Sequence, residues 1–357
     1  MTSHPALLIT RDEQLLEDLL RLAAAAGTTL DVAHDTTSAL RAWSSASVVL
    51  LGADQAEVLA AQRPPRRDQV HVVGNGPAGD GLFRSALASG AVDVVELPAA
   101  DAWVVELLTD AADGAVHLAR TVGVVAGSGG AGATTFACAL ALTAARTEPA
   151  VLLDLDPLGP GVDRVVGLDA GGEGGRAVRW DALVGSHGRL GSRSLRAALP
   201  QKGGLAVLTW GFGSPVELDA GTVREVLSAA QRGHDVVVAD LPRAVDDVTA
   251  EVVSRCEEVL VVVDPSVAGV AAAGKVAAVL RPLNRRLGLV VREVGSAVPS
   301  EHVADILDLP LVARVGTQRR LAEHLDLGLG PVHSRRAPLA RAARVALDAH
   351  HEARWVA

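Results

Sequence analysis

The stretch Gly127-Ser128-Gly129-Gly130-Ala131-Gly132-Ala133-Thr134-Thr135 lies between the apolar run Thr121–Ala126 and the helix-forming run Phe136-Ala137-Cys138-Ala139-Leu140-Ala141-Leu142. Strand, glycine loop and helix in that order are the setting of a phosphate-binding loop. Glycines let backbone N–H groups turn toward an anion, and the helix N-terminus adds partial positive charge. A working loop also carries a Lys just before the paired threonines, directed at the β- and γ-phosphates. Here that position is Ala133. The loop demands an α/β fold with a largely parallel sheet, and it lacks its main charge.

Composition narrows the reading. A chain of 357 residues holds about two domains, and a hydrophobic content of 49% fills two cores. The net charge of −9 argues against a general nucleic-acid binder. Lys202 and Lys275 are the only lysines, and the remaining 31 of 33 basic residues are Arg. Such a bias explains Lys→Arg drift but not an Ala at 133. Cys138 and Cys256 are isolated and without metal-ligand spacing, so both are expected to be small buried residues. No basic segment followed by an apolar core marks a signal peptide, and no run of about 18 apolar residues marks a membrane span. A cytoplasmic location is the expectation.

The first part of the chain alternates strands and helices. Strands are expected at Ala6–Thr10, Thr29–Ala33, Ser47–Leu51, Val70–Gly74 and Val92–Leu97. Helices are expected at Asp12–Ala26, Thr36–Trp43, Gln55–Gln62, Gly81–Ser89 and Ala100–Leu118. Five β/α units read as a small doubly wound sheet. The arrangement resembles a response-regulator receiver domain. That resemblance places an acceptor Asp at the end of the third strand, where Gly52 stands, and a Lys after the fifth, where Leu97 stands. Asp12 and Glu13 keep acidic residues after the first strand, and Asp54 is the nearby substitute for the acceptor. Without the acceptor carboxylate, aspartyl phosphorylation has no nucleophile. The expectation is a receiver-shaped docking module spanning 1–118.

Residues 111–120 read as a continuous helix joining this domain to a second, 119–357, and the two are expected to pack together. The second domain's strands are expected at Thr121–Ala126, Ala150–Asp154, Leu205–Thr209, Asp235–Asp240, Glu258–Val263, Leu287–Val291 and Leu311–Ala313. Pro157 to Gly204 reads as an irregular loop at the site, Gly-rich at Gly171-Gly172-Glu173-Gly174-Gly175.

Two further motifs accompany the loop. Val151-Leu152-Leu153-Asp154-Leu155-Asp156-Pro157 ends an apolar strand in carboxylates, at the sheet edge where ligands bind. Val236-Val237-Val238-Ala239-Asp240 has the Walker B form, whose carboxylate holds Mg²⁺. The three motifs together resemble the MinD/ParA group of P-loop ATPases. The segment from Cys256 to Ser266 also fits that group. Gly167-Leu168, Trp180-Asp181-Ala182-Leu183, Leu199-Pro200 and Gly204 to Trp210 are similar to its CpaE/TadZ branch, in particular to actinobacterial CpaE-like septum-site-determining proteins. That branch also carries a degenerate receiver-like domain, so the resemblance spans nearly the whole chain.

The resemblance implies two α/β domains and a cofactor, ATP or ADP with Mg²⁺. Gly127, Ser128, Gly129, Gly130, Ala131, Gly132, Ala133, Thr134 and Thr135 would line the phosphates, with Thr135 at the α-phosphate. Thr134, Asp154 and Asp240 would hold Mg²⁺, and Asp156 would orient or activate the attacking water. It also implies a homodimer through the nucleotide face. Its departures are Ser128, in place of the Lys that crosses the dimer, Ala133, and the lack of a base-contacting Asn near Leu289–Arg292. Arg164 or Arg243 stands as a substitute cation. The expected function is a regulator of septum-site selection, or of polar Flp-type pilus or secretion assembly, with little or no hydrolysis. An ATPase using Arg, and a nucleotide-free scaffold, are the alternatives. Between Arg314 and Arg354 eight arginines accompany the stripe Leu339, Ala342, Val345 and Ala346. That segment is either a terminal helix packed on the sheet or a basic amphipathic helix for an anionic membrane. DNA is not an expected partner.

Overall fold

The computed structural model describes residues 5–112, 119–168, 178–184, 190–211, 216–293 and 298–355, without the side chains of 80 and 350–355. The chain divides into two compact units, Met1–His117 and Leu118–Ala357.

The first unit holds strands β1 (Ala6–Ile9), β2 (Leu30–Ala33), β3 (Val49–Gly52), β4 (Val70–Asn75) and β5 (Asp93–Leu97). Its helices are α1 (Glu13–Ala25), α2 (Thr36–Trp43), α3 (Ala56–Ala61), α4 (Asp80–Ser89) and α5 (Asp101–Ala112). All strands pair in parallel, in the order β2-β1-β3-β4-β5. The strands are apolar on both sides because helices cover both faces. Leu8, Leu50 and Val95 pack with α1 and α5, whereas Leu7, Val49 and Val72 pack with α2, α3 and α4. Helix starts follow local chemistry. Asp12 accepts from the N–H groups of Gln14 and Leu15, and Asp35 from those of Thr37 and Ser38. Each such cap stabilises its helix by about 1 kcal/mol.

The second unit holds β6 (Arg120–Ala126), β7 (Ala150–Asp154), β8 (Gln201–Lys202), β9 (Leu205–Leu208), β10 (Val236–Leu241), β11 (Glu258–Val263), β12 (Leu287–Glu293) and β13 (Leu311–Gly316). Its helices are α6 (Ala133–Ala144), α7 (Val162–Val166), α8 (Ser192–Ala198), α9 (Ala220–Gly233), α10 (Asp247–Arg255), α11 (Val267–Leu280), α12 (Ser300–Leu307), α13 (Leu321–Asp326) and α14 (Pro338–Trp355). The sheet order is β13-β12-β11-β6-β10-β7-β9-β8, parallel except for the antiparallel β8. The chain builds β7 and β9 on one side of β6, inserts β10 beside it, then crosses to β11. That reversal puts the β6 C-terminus at a topological switch point, where doubly wound sheets bind ligands.

Several expectations are corrected. The joining helix is described only to Ala112, residues 113–118 lie outside the described residues, and Arg120 begins a strand. Arg120 is buried and pairs with Glu148 at 2.8 Å. The segment Pro157–Gly204 is not wholly irregular, since it carries α7, a short 3-10 turn at Trp180–Ala182, α8 and β8. Gly171 to Gly175 lie outside the described residues. In α14, Leu339, Ala342 and Ala346 are buried with Phe136 and Leu140 of α6, while Val345 is exposed. The apolar face offered for a membrane is therefore spent in the core. The side chains of His350, His351 and Arg354 lie outside the described residues. Cys138 and Cys256 are buried free thiols, and burial pushes the Cys256 thiol up to about 12.

Candidate functional site

The glycine loop leaves β6 at the centre of the sheet. The Gly127 N–H donates to Val262 O of β11 at 2.8 Å, which continues the ladder one residue past the strand. Ala131 N then donates to Ser128 O at 3.2 Å, closing a turn. Gly130 and Gly132 have φ of +76° and +90°, a region that favours glycine. Phe136 N donates to Gly132 O at 2.9 Å and begins α6. The first N–H groups of a helix have no partner within it, so the loop ends on donors suited to an anion.

Three of the motif residues, Thr134, Asp154 and Asp240, come together beside the loop. Asp240 near the end of β10 is in register with Asp154 at the end of β7 and with Val124 of β6. The two carboxylates thus stand on adjacent strands beside the loop. The Thr134 side chain approaches Asp240 and favours its charged form. Asp154 accepts from the Thr209 hydroxyl at 2.6 Å, from Val162 N at 3.2 Å and from Asp156 N at 3.3 Å. Asp156 lies at the mouth, with one carboxylate oxygen accepting from Leu158 N at 3.0 Å.

Burial dominates the electrostatics. Asp154 is 1% exposed and Asp240 2% exposed. Desolvation raises Asp154 to about 6, against the opposing hydrogen bonds from Thr209, Val162 and Asp156. It raises Asp240 to about 8, with the charges of Asp154 and Asp156 adding to the rise and the nearby Thr134 side chain opposing it. Two buried carboxylates therefore press for a cation. Their all-oxygen donor set suits Mg²⁺. Among the described residues no group of three or more His, Cys, Asp or Glu forms a metal cage.

The phosphate side lacks loop lysines. Ala133, 6% exposed, packs in the core cluster with Phe136 and Val162. Of the two substitute cations, Arg243 reaches the loop, its Nη1 lying 3.9 Å from where a Cβ on Gly129 would stand. Arg164 lines a cleft of about 80 Å³ together with Asp154, Asp163 and Arg179, the last two paired at 2.9 Å.

Three contributors were not among the expected site residues. Thr209 follows β9 level with Asp154. Trp180 Nε1 donates to Asp154 O at 2.6 Å. Arg292 in β12 donates from Nη1 to Gly130 O at 2.9 Å. In the sequence, Thr209 and Arg292 are the first polar residues after apolar runs, a pattern shared with Asp154 and Asp240. A cleft of about 530 Å³ opens beside the loop, bounded by Gly130, Gly132, Thr135, Arg292, Gln318 and Arg320. No Asp or Glu lies among its described lining residues. The absent base-contacting Asn is not replaced, since Asn284 is buried and bonds Val253 O and Cys256 O.

In the first unit the acceptor position at Gly52 is filled from elsewhere. A Cβ on Gly52 would strike Asp54 Oδ1 and come within 2.7 Å of Thr10 Oγ1. Asp54 accepts from the Thr10 hydroxyl at 2.8 Å, Arg11 N at 2.8 Å and Gln55 Nε2 at 2.9 Å. Burial would raise its pKa, but these hydrogen bonds together hold it below the usual carboxylate value. Asp12 is engaged as the α1 cap, and Leu97 is buried.

Comparison with known proteins agrees with both halves. The Rv3660c-like, CheY-like N-terminal domain family matches residues 9–119. The uncharacterized protein Rv3660c of Mycobacterium tuberculosis (strain ATCC 25618 / H37Rv) is 38% identical over 340 residues, covering 93% of this chain and 94% of the relative. This chain belongs to the Rv3660c-like family. The fold of its second unit matches solved MinD/ParA structures. The ParA family ATPase of Chlorobium tepidum TLS aligns with TM-score 0.57 at 16% identity, over 65% of this chain and 99% of that one. The septum site-determining protein MinD of Pyrococcus horikoshii OT3, complexed with Mg-ADP, aligns with TM-score 0.55 at 20% identity, over 65% and 96%. The Rv3660c-like chain thus joins a CheY-like unit to a MinD/ParA-like P-loop fold. Among its described residues no helix is long and apolar enough to cross a membrane.

Proposed function

We propose that this chain is a MinD/CpaE-like spatial regulator, acting in septum-site selection or in polar assembly of a Flp-type pilus or secretion machine. In this reading ATP or ADP binds weakly with Mg²⁺ in the loop Gly127–Thr135, and turnover is slight or absent. Thr134, Asp154 and Asp240 would hold the metal, and Asp156 is the candidate for orienting water. The domains divide at 118/119. The second dimerises through its nucleotide face, and the first docks protein partners in the cytoplasm.

One observation carries the reading. Buried Asp240 and Asp154, with Thr134 near Asp240, form a cation-seeking cluster beside a glycine loop whose lysine positions are Ser128 and Ala133. Phosphoryl transfer depends on charge set against the transition state, so lost lysines weaken hydrolysis more than binding. The Mg-ADP complex of the Pyrococcus horikoshii neighbour supports the choice of ligand.

Equilibrium binding of Mg-ADP and Mg-ATP, with a turnover assay, tests the proposal. Binding at millimolar nucleotide with negligible turnover is expected. An absence of binding there would leave the nucleotide-free scaffold standing. Turnover abolished by Asp156→Ala would instead favour an active ATPase, a reading that the arginines near the loop keep open.

A further inference from the structure

The loop's missing lysines pose a question of charge: what faces the phosphates? Two arginines reach the loop from opposite sides of β6. Arg292 in β12 donates to Gly130 O at 2.9 Å, and its Nη1 lies 4.0 Å from where a Cβ on Gly132 would stand. Arg243, two residues beyond β10, brings its Nη1 to 3.9 Å from the corresponding point on Gly129. In sheet order β10 adjoins β6 on one side, while β11 and then β12 follow on the other. The two guanidiniums therefore bracket the loop. The adjoining cleft adds Arg320 and has no described carboxylate in its lining.

We propose that Arg292 and Arg243 are the phosphate-side cations of this site, supplying from the flanking strands the charge that Ser128 and Ala133 do not. The ligand is a nucleoside di- or triphosphate, so the proposal rests on the nucleotide reading above. A guanidinium has five N–H donors in a fixed fork that matches phosphate oxygens. Among the described residues Arg292 uses one of them, on a neutral carbonyl. A phosphate oxygen is the stronger partner, because both groups are then charged. Arg292 lies toward Gly132 and Thr135, the end assigned to the α-phosphate. Arg243 lies toward Gly129 and serves the distal phosphates.

The test is equilibrium binding of AMP, Mg-ADP and Mg-ATP to the full chain and to Arg292→Ala, Arg292→Gln, Arg292→Lys and Arg243→Ala, with melting temperatures recorded alongside. Arg292→Ala is expected to weaken Mg-ADP about tenfold to a hundredfold, the loss of one charge-assisted contact. Arg292→Gln keeps a donor for Gly130 O without the charge and should bind as poorly as the Ala variant, whereas Arg292→Lys retains part of the affinity. Arg243→Ala should weaken Mg-ATP more than AMP. Melting temperatures without nucleotide should hold. If the unmodified chain binds Mg-ADP and both Ala variants stay within about twofold, the arginine assignment is wrong while the nucleotide reading stands. Full affinity in Arg292→Gln would also overturn it, reducing Arg292 to a structural latch. No binding by the unmodified chain at millimolar nucleotide removes the nucleotide reading itself, and this proposal with it.

Discussion

The two units each lack the reactive group that the resembled family carries there, and only one of them fills the gap. At the receiver-like site, the acceptor position is Gly52 and the space beside it is taken by Asp54, held by three donors. That carboxylate is satisfied, and its pKa is lowered. At the glycine loop, the lysine position is Ala133, which folds into the core and leaves Asp154 and Asp240 without a compensating charge from the loop. Those carboxylates have raised pKa values. A filled gap makes a structural site. An unfilled one stays tense and open to a ligand.

The largest expected effect tests that tension. Asp240 holds its proton in the folded chain up to about pH 8. An unfolded Asp releases it near pH 4. The folded state therefore binds more protons through that window, and stability falls as pH rises across it. Asp240→Asn should melt higher than the unmodified chain at pH 8. The advantage should reach several kcal/mol, since each pH unit separating the two titrations is worth about 1.4 kcal/mol, and it should close toward pH 4. The same variant should lose the Mg²⁺-dependent part of nucleotide binding. Thermal melts from pH 4 to 9 read the first effect and titrations with and without Mg²⁺ the second. A pH-independent difference would mean that Asp240 is already compensated.

Restoring the receiver's acceptor comes next. Gly52→Asp should destabilise the first unit by about 1–3 kcal/mol, the usual cost of overpacking, because its Cβ enters the space of Asp54 and Thr10. Adding Asp54→Ala should recover most of the loss. Denaturant unfolding of the single and double variants gives the coupling, and additive costs would show that Asp54 does not fill the acceptor's place.

Restoring the loop's lysine should act in the opposite direction. Ala133→Lys is expected to tighten Mg-ADP about tenfold, roughly the value of one charged hydrogen bond, provided the side chain leaves along the loop mouth. Binding calorimetry checks it, and unchanged affinity would mean that the added ammonium does not reach the phosphates.

The smallest effect is a matched pair. Thr209→Val and Thr10→Val each remove a hydroxyl donor from a carboxylate. Thr209→Val should cost about 1–2 kcal/mol at pH 8, since a buried charge loses a partner. Thr10→Val should cost less, because each carboxylate keeps two other donors but Asp54 is exposed to water while Asp154 is buried. Equal costs in urea unfolding would erase the distinction between the two sites.

Much of the fold was legible because its signals are local. Runs such as Val236–Ala239 and Val259–Val263 are apolar on both faces, as parallel strands must be when helices cover both sides of the sheet. Glycine and Asp positions marked the turns and caps. The two-residue β8 carries no such periodicity and was not legible. The α14 stripe was legible as amphipathic, but its destination was not: Leu339 and Ala342 would suit either α6 or a lipid surface. Pairing with α6, itself apolar all round, decides between them.

The order of amino acids is enough to read two doubly wound units, and the resemblances it carries set Ser128 and Ala133 where the P-loop group has lysines and Gly52 and Leu97 where receivers have reactive groups. Those are statements about residue identity and short-range pattern, which a linear chain displays directly. It took the folded sheets to show that Asp54 fills the place left at Gly52, that Asp154 and Asp240 stand together in the dry interior, and that Arg292 reaches Gly130 from 162 residues away. Burial and long-range approach depend on which strands become neighbours. That is set by the packing of the whole sheet, not by any segment of it.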